Sequence, residues 1–361
     1  MKAAVCREFA KPLVIEELSL LPPEADQILV DITACAICHS DITYAKGDWG
    51  GTLPAVYGHE AVGRVRELGS DVKGFSVGDR VLVTLIRHCG HCSPCAEGMP
   101  VVCDHAGEGE SPIRDGEGVT LVQGMATGGF AEQVVVHRSQ AITLPDDIPD
   151  DVASLLACGV ITGVGAVVNA AKVRPGQTVA VIGAGGVGLN VIQGAVIAGA
   201  SKIIAIDLNE TKFAEAKAFG ATDTLDGRTP NLPAALRALN NGRGVDYAFV
   251  AVGVAAAFNQ AAQLIAANGT VVAVGMPPSG HMAEYDPSSI AGGCQHIVGS
   301  KMGNTVIERD IPWLIELWRQ GRLNLDGLIS GRYPLEQINE AIEATLGGEA
   351  KRNVIVFEGA K

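Results

Sequence analysis

The sequence predicts an α/β protein in two parts, a β-rich region and a doubly wound parallel sheet with helices on its faces. Three observations carry that prediction. At 361 residues the chain is longer than one ordinary core supports. Its first 150 or so residues hold short runs rich in Val, Ile and Thr, separated by turn signals. From about Cys158 to Gly299 strand-like and helix-like runs alternate instead, the pattern of βαβ units.

In the first part "ILVDITACAI", "EAVGRVREL", "DRVLVTLI" and "FAEQVVVH" are predicted strands, and "PEADQ", "GSDVKGFSVGD" and "LPDDIPDD" are the breaks. In the second part strands are expected at "TVAVI", "KIIAIDL", "VDYAFVAVG" and "TVVAVGM". Helices are expected at "LNVIQGAVIAGA", "ETKFAEAKAFGA" and "AAAFNQAAQLIAANG". After Gly299 the helical runs "IPWLIELWRQGRL" and "LEQINEAIEATLGG" precede a closing strand, "NVIVF". The expected domains are 1–158, 159–299 and a return to the first over 300–361.

Hydrophobic content of 47% with 19% charged residues describes a globular chain rather than a disordered one. A net charge of −13 excludes the electrostatic footprint of a nucleic-acid or anionic-membrane binder. The opening "MKAAVCREFAKPLVIEEL" lacks a signal peptide's apolar core. Two charge-free stretches, Val152 to Ala171 and Pro175 to Ser201, are interrupted by Gly, Ser, Thr, Asn or Gln and read as packed interior rather than membrane span. A cytoplasmic location is expected.

Gly183-Ala184-Gly185-Gly186-Val187-Gly188 fits G-x-G-x-x-G. In a glycine-rich chain the pattern alone is weak, but here it follows a predicted strand and opens a predicted helix. Gly183 then serves the tight bend, Gly185 the close approach of pyrophosphate, and Gly188 the packing of helix on strand. Helix N–H groups and the helix dipole favour the phosphates. Asp207 ends the next predicted strand, 19 residues after Gly188. A carboxylate there accepts ribose hydroxyls and repels a 2′-phosphate. No arginine follows at once, so NAD is expected rather than NADP.

Four of the nine cysteines, Cys89, Cys92, Cys95 and Cys103, fall within fifteen residues, in a lobe spanning 87–105. In a reducing compartment such clusters are more often metal ligands or catalytic groups than disulfides. These four can surround one tetrahedral ion unaided, a closed shell suited to structural zinc. His88 and His91 interleave with them and are left out, because four sulfurs complete the tetrahedron.

"CHSD", "GHE", the four-cysteine lobe and "CGVITG" followed by "GAGGVG" occur in the order and near the spacing of the medium-chain zinc-dependent alcohol dehydrogenases, which the whole chain resembles. The resemblance implies a GroES-like β-rich catalytic domain plus a doubly wound Rossmann cofactor domain, NAD, and two zinc ions per chain. It implies Cys38, His59 and Cys158 as catalytic zinc ligands with a fourth place for water or substrate, a site type for which this family is itself the standard example. Glu60 is implied as a carboxylate beside the zinc, Asp41 as the acid orienting the ligand histidine, and Ser40 as the hydroxyl relaying the alcohol proton. His39 and Arg352 are implied near the pyrophosphate, Lys212 at the adenosine ribose and Thr162 at the nicotinamide, with Val274 and Met276 as further cofactor-binding residues. Trp49, Leu85 and Met276 match pocket positions and imply a largely apolar pocket for a primary or aromatic alcohol. The implied reaction is a reversible oxidation, the alcohol's pKa lowered by the metal, to an aldehyde or ketone. Association into a homo-oligomer through the Rossmann domain is implied as well.

The chain also departs from that pattern. Thr43 stands where many family members end the proton relay with a histidine. Lys301 is expected to be solvated, or else to bind an anionic substrate tail. Cys35, which makes a C-x-x-C pair with Cys38, is read as a non-ligand. Polyol, threonine and glutathione-dependent formaldehyde dehydrogenases are the nearest alternatives: Cys158 counts against the first two, and no glutathione site is identifiable for the third. A non-catalytic relative would tend to lose the zinc ligands that are present here.

Overall fold

The computed structural model describes residues 1–348 and 350–357. Its chain forms two compact units, one of Met1–Cys158, Val306–Arg319 and the chain from Leu325 onward, the other of Gly159–Thr305 with Gln320–Asn324.

The first unit is built on a seven-stranded sheet. Its central strand, Gln27–Ala36, buries alternate side chains, as a half-buried strand must. Glu60–Leu68 pairs antiparallel along one side of it. On the other side Gln133–His137 pairs with its first half and Arg352–Val356 with its last residues. Ile28, Ile32, Val30, Phe130, Tyr57 and Ile355 pack together beneath. Each such side chain contributes about 1.5–3 kcal/mol by leaving water.

The register of this sheet positions the chemistry. Ala36 lies opposite both Glu60 and Val354, and the Ile37 amide donates to the Asn353 carbonyl at 2.9 Å. The ends of three strands, remote in sequence, therefore bring Cys38, His59, Glu60 and Arg352 to one corner.

The second unit is a six-stranded parallel sheet. From edge to edge its strands are Asp223–Asp226, Lys202–Asp207, Thr178–Ile182, Val245–Val250, Ile265–Ala273 and His296–Gly299. The middle strands are apolar almost without break, because helices cover both faces of a doubly wound sheet.

One reading of the sequence needs correction here. "AAAFNQAAQLIAANG" is not one helix: the helix ends at Leu264 and a strand starts at Ile265, paired with Val245. Sheet pairing overrides the helix propensity of its alanines. The strand Asp223–Asp226 and the capped helix Leu232–Leu239 are not among the expected elements; the strand is short and polar. No single helix among the described residues is long and apolar enough to cross a membrane.

Candidate active site

Cys38 ends an extended segment and caps the helix His39–Lys46. Asp41, at the third position of that helix, accepts the Cys38 amide through Oδ2 at 3.0 Å. Its Oδ1 takes the Gly58 amide at 2.9 Å and meets Nδ1 of His59 at 2.9 Å. One buried carboxylate thus ties the helix start to the turn carrying His59. Because Nδ1 is held by Asp41, Nε2 is the nitrogen left for a ligand, and this buried atom has no hydrogen-bond partner.

That orphaned nitrogen lies among the thiols of Cys38 and Cys158 and the carboxylate of Glu60, with donor atoms within 4.8 Å of one another and all four residues buried. The Thr84 hydroxyl donates to the Ala157 carbonyl at 2.7 Å and fastens the turn that presents Cys158. A hydrogen bond from Cys158 holds the Cys38 thiol well below the usual cysteine value, while the same bond and burial push Cys158 up. Burial would lower His59, but Asp41 and Cys38 outweigh it and hold it well above the usual histidine value. Two thiols and an imidazole lone pair are the donor set that zinc prefers, and binding it would displace their protons.

Glu60 does not stand alone. Its carboxylate is paired with the Arg352 guanidinium, and both side chains are buried. Burial lifts Glu60 to about 7 despite the pull of Arg352. Arg352, expected at the pyrophosphate, therefore has its guanidinium inside the first unit on Glu60, although its Nε keeps no partner. Neither sequence position hints at this pairing, since 292 residues separate the two.

His39 is exposed and Ser40 half-exposed at the start of the helix. The Thr43 hydroxyl donates to the His39 carbonyl at 2.8 Å and so spends its proton within its own helix. Replacing Thr43 with His should add an ionisation near 6.5 to the pH dependence of kcat. An unchanged pH–rate profile would count against any relay through this position. Trp49 packs edge-on against Tyr44 at 5.1 Å, and Tyr44 stacks with Tyr57. Leu85 is half-buried in the same unit, whereas Met276 belongs to the second unit and is 63% exposed. No single unit holds all three expected pocket residues. Lys301 is exposed, and Cys35 is buried outside both metal-binding sets.

In the second unit the glycine turn joins the strand Thr178–Ile182 to the helix Gly186–Ile197. Gly183 has φ +95°, and a Cβ on Gly188 would sit 1.7 Å from the Gly183 carbonyl oxygen. A side chain fits at neither position. A Cβ on Gly185 would meet nothing within 4 Å, which leaves open space at the helix N-terminus. That cradle, with free N–H groups around it, fits a pyrophosphate. Ala184 donates its amide to Asp207 Oδ2 at 2.7 Å, and Asn209 donates to Oδ1 at 2.9 Å. Beside Asp207, in register on the next strand, lies Asp226, which holds Arg228. Lys212 begins the following helix; Thr162, hydrogen-bonded to the Met302 sulfur at 3.8 Å, and Val274 are buried. Of the expected cofactor residues, His39 and Arg352 belong to the first unit and the others to the second.

Cys89, Cys92, Cys95 and Cys103 form the second set, again with donor atoms within 4.8 Å. Backbone amides of His91 and Cys92 point at the Cys89 sulfur, and those of Cys89 and His105 at the Cys103 sulfur, at 3.3–3.4 Å. Such donors favour thiolates. Desolvation would raise Cys89, but these bonds outweigh it and bring the thiol down to about 6. The lobe suits a closed tetrahedral ion.

A sheet-bound Cys₂His corner, a glycine-turn nucleotide cradle and a four-thiol lobe together define a zinc-binding oxidoreductase. Residues 24–146 match the alcohol dehydrogenase GroES-like domain and residues 186–319 the zinc-binding dehydrogenase domain. An alcohol dehydrogenase zinc-binding domain protein from Burkholderia ambifaria is 34% identical, with a TM-score of 0.94 over 99% of each chain. Benzyl alcohol dehydrogenase from Acinetobacter calcoaceticus is 30% identical, with a TM-score of 0.92 over 99% of each chain. A zinc-binding dehydrogenase from Sinorhizobium meliloti 1021, bound to NADP, is 28% identical over 98% of each chain, with a TM-score of 0.82. The chain belongs to the medium-chain zinc-dependent alcohol dehydrogenase family.

Proposed function

We propose that this oxidoreductase reversibly oxidises primary or aromatic alcohols with NAD, using one catalytic and one structural zinc per chain. The observation that carries the reading is the buried Cys38–His59–Cys158 corner, with Nε2 of His59 unpartnered among two thiols. Bound zinc would lower the pKa of the alcohol hydroxyl, and bound nicotinamide would accept the hydride. Cys38, His59 and Cys158 hold the metal, and Asp41 keeps His59 in the ligating tautomer. Ser40, two residues after Cys38 and partly exposed, would carry the proton toward solvent. Gly185 and the helix N-terminus would receive the pyrophosphate, with Thr162 at the nicotinamide.

Aromatic alcohols are favoured by the likeness to benzyl alcohol dehydrogenase. NAD is favoured over the NADP held by the Sinorhizobium relative because the carboxylate of Asp207 ends the strand Lys202–Asp207, where it would repel a 2′-phosphate. Replacing Asp207 with Ser should raise the KM for NAD by about 10-fold to 100-fold, the worth of about 1.5–3 kcal/mol of charged hydrogen bonds. It should also narrow the NAD-to-NADP preference, read from kcat/KM with each cofactor. A cytoplasmic location is proposed because the clustered cysteines are arranged as metal ligands rather than as disulfide partners. Homo-oligomer formation through the cofactor domain is proposed because the edge strand His296–Gly299 is exposed, Ile297 by 43%.

The test is NADH formation followed by absorbance across ethanol, longer n-alkanols, benzyl alcohol, a secondary alcohol, a polyol and a carboxylate-bearing alcohol. Turnover of benzyl alcohol, lost on chelation and restored by zinc, is the expected result. Activity with only the carboxylate-bearing alcohol would move the substrate class toward Lys301. Silence across the panel with zinc bound would overturn the proposed substrate class.

A further inference from the structure

Cys89 belongs to two overlapping donor sets. Besides the four-thiol lobe, its sulfur joins His91 and His105 in a second group whose donor atoms also lie within 4.8 Å of one another. The Cys89 sulfur is 3.7 Å from Nδ1 of His91, and the two imidazole rings are 5.6 Å apart. Glu108 completes the arrangement: its carboxylate lies 2.5 Å from Nδ1 of His105. That bond puts the His105 proton on Nδ1 and leaves Nε2 as the lone-pair donor, the way carboxylates orient histidines toward metals.

The group opens outward. His91 is exposed and Cys89 and His105 are half-exposed, whereas Cys92 and Cys103 are buried. Four thiolates around one divalent ion leave the lobe net negative, which draws a further cation to its solvent side. A thiolate sulfur retains lone pairs after binding one metal and can bridge to another. Two imidazoles and a thiolate suit a zinc-class ion rather than magnesium or calcium, which prefer oxygen.

We propose that Cys89, His91 and His105 bind a further zinc-class divalent ion beside the lobe, with the Cys89 sulfur bridging the two metals. The site rests on the reading of the lobe as a metal centre and adds an ion to the two zincs of that reading. It would make the outer rim of the lobe a surface that captures free zinc.

The experiment titrates the zinc-loaded full chain with zinc and counts bound metal by native mass spectrometry and equilibrium dialysis. One ion beyond the catalytic and lobe zincs is expected in the unaltered chain. It should be lost in the His91→Ala, His105→Ala double variant, with the lobe zinc retained. Glu108→Gln should keep the ion but weaken it about 10-fold to 100-fold. Failure of the unaltered chain to take the extra ion, or its persistence in the double variant, would overturn the proposal while leaving the lobe reading intact. A purified chain whose lobe holds no zinc would instead overturn the lobe reading, and this site with it.

Discussion

Replacing Cys38 with Ser is expected to remove the catalytic zinc and lower kcat/KM for benzyl alcohol by about 10³-fold. Lewis-acid polarisation of a substrate oxygen supplies several kcal/mol, and about 4 kcal/mol corresponds to that factor. A hydroxyl is a poor substitute for a thiolate toward zinc, and the replaced sulfur sits in a buried set with no spare sulfur ligand within reach among the described residues. The fold should survive, because the side chain keeps its size and the helix start is still held by Asp41 on the backbone amide of residue 38. Metal analysis should then count one zinc fewer than in the unaltered chain, with an unchanged far-ultraviolet circular dichroism spectrum. Full activity from the Cys38→Ser chain would refute the Cys₂His centre as the seat of the reaction.

Replacing Arg352 with Leu should destabilise the protein by about 3–5 kcal/mol at pH 8, the usual cost of stranding one member of a buried ion pair. Glu60 is fully buried and Arg352 nearly so. The pH dependence follows from the carboxylate. Burial raises Glu60 to about 7 from its ordinary 4.5, so the folded chain binds its proton more tightly than the unfolded chain does. Such a group costs nothing below pH 4.5; its cost grows as pH rises and is complete above the folded value. Removing Arg352 raises the folded value further, so the gap between variant and parent should widen from pH 5 to pH 8. Chemical denaturation at both pH values measures it. Equal stability of the two chains at pH 8 would show that the pair contributes nothing, and Arg352→Lys, which keeps the charge but loses the planar fork, should fall between them.

What was legible in the chain was local. The glycine turn and the four-cysteine lobe each lie within fifteen residues, so spacing alone exposes their geometry. The run "ILVDITACAI" matches Gln27–Ala36 because a half-buried strand must alternate its side chains, and "EAVGRVREL" coincides with Glu60–Leu68. The strand Asp223–Asp226 and the break at Leu264 were not legible, because pairing with neighbouring strands decides them. Spacing does not single out His91 and His105, for a related reason. The four sulfurs satisfy one tetrahedron, and only the fold shows that two rings and Glu108 gather on its outer rim.

The sequence by itself determined the two-part α/β plan, the nucleotide turn with its acid at Asp207 and the metal lobe, since each is written in neighbouring residues. Resemblance added the roles of Cys38, His59 and Cys158, which taken one at a time are ordinary buried residues. Only the tertiary structure decided that Asp41 holds both Cys38 and His59, and that Glu60 is answered by Arg352 across 292 residues. The physical reason is that a buried carboxylate must find donors wherever the sheet register brings them, and that register is fixed by the pairing of strands far apart in the chain.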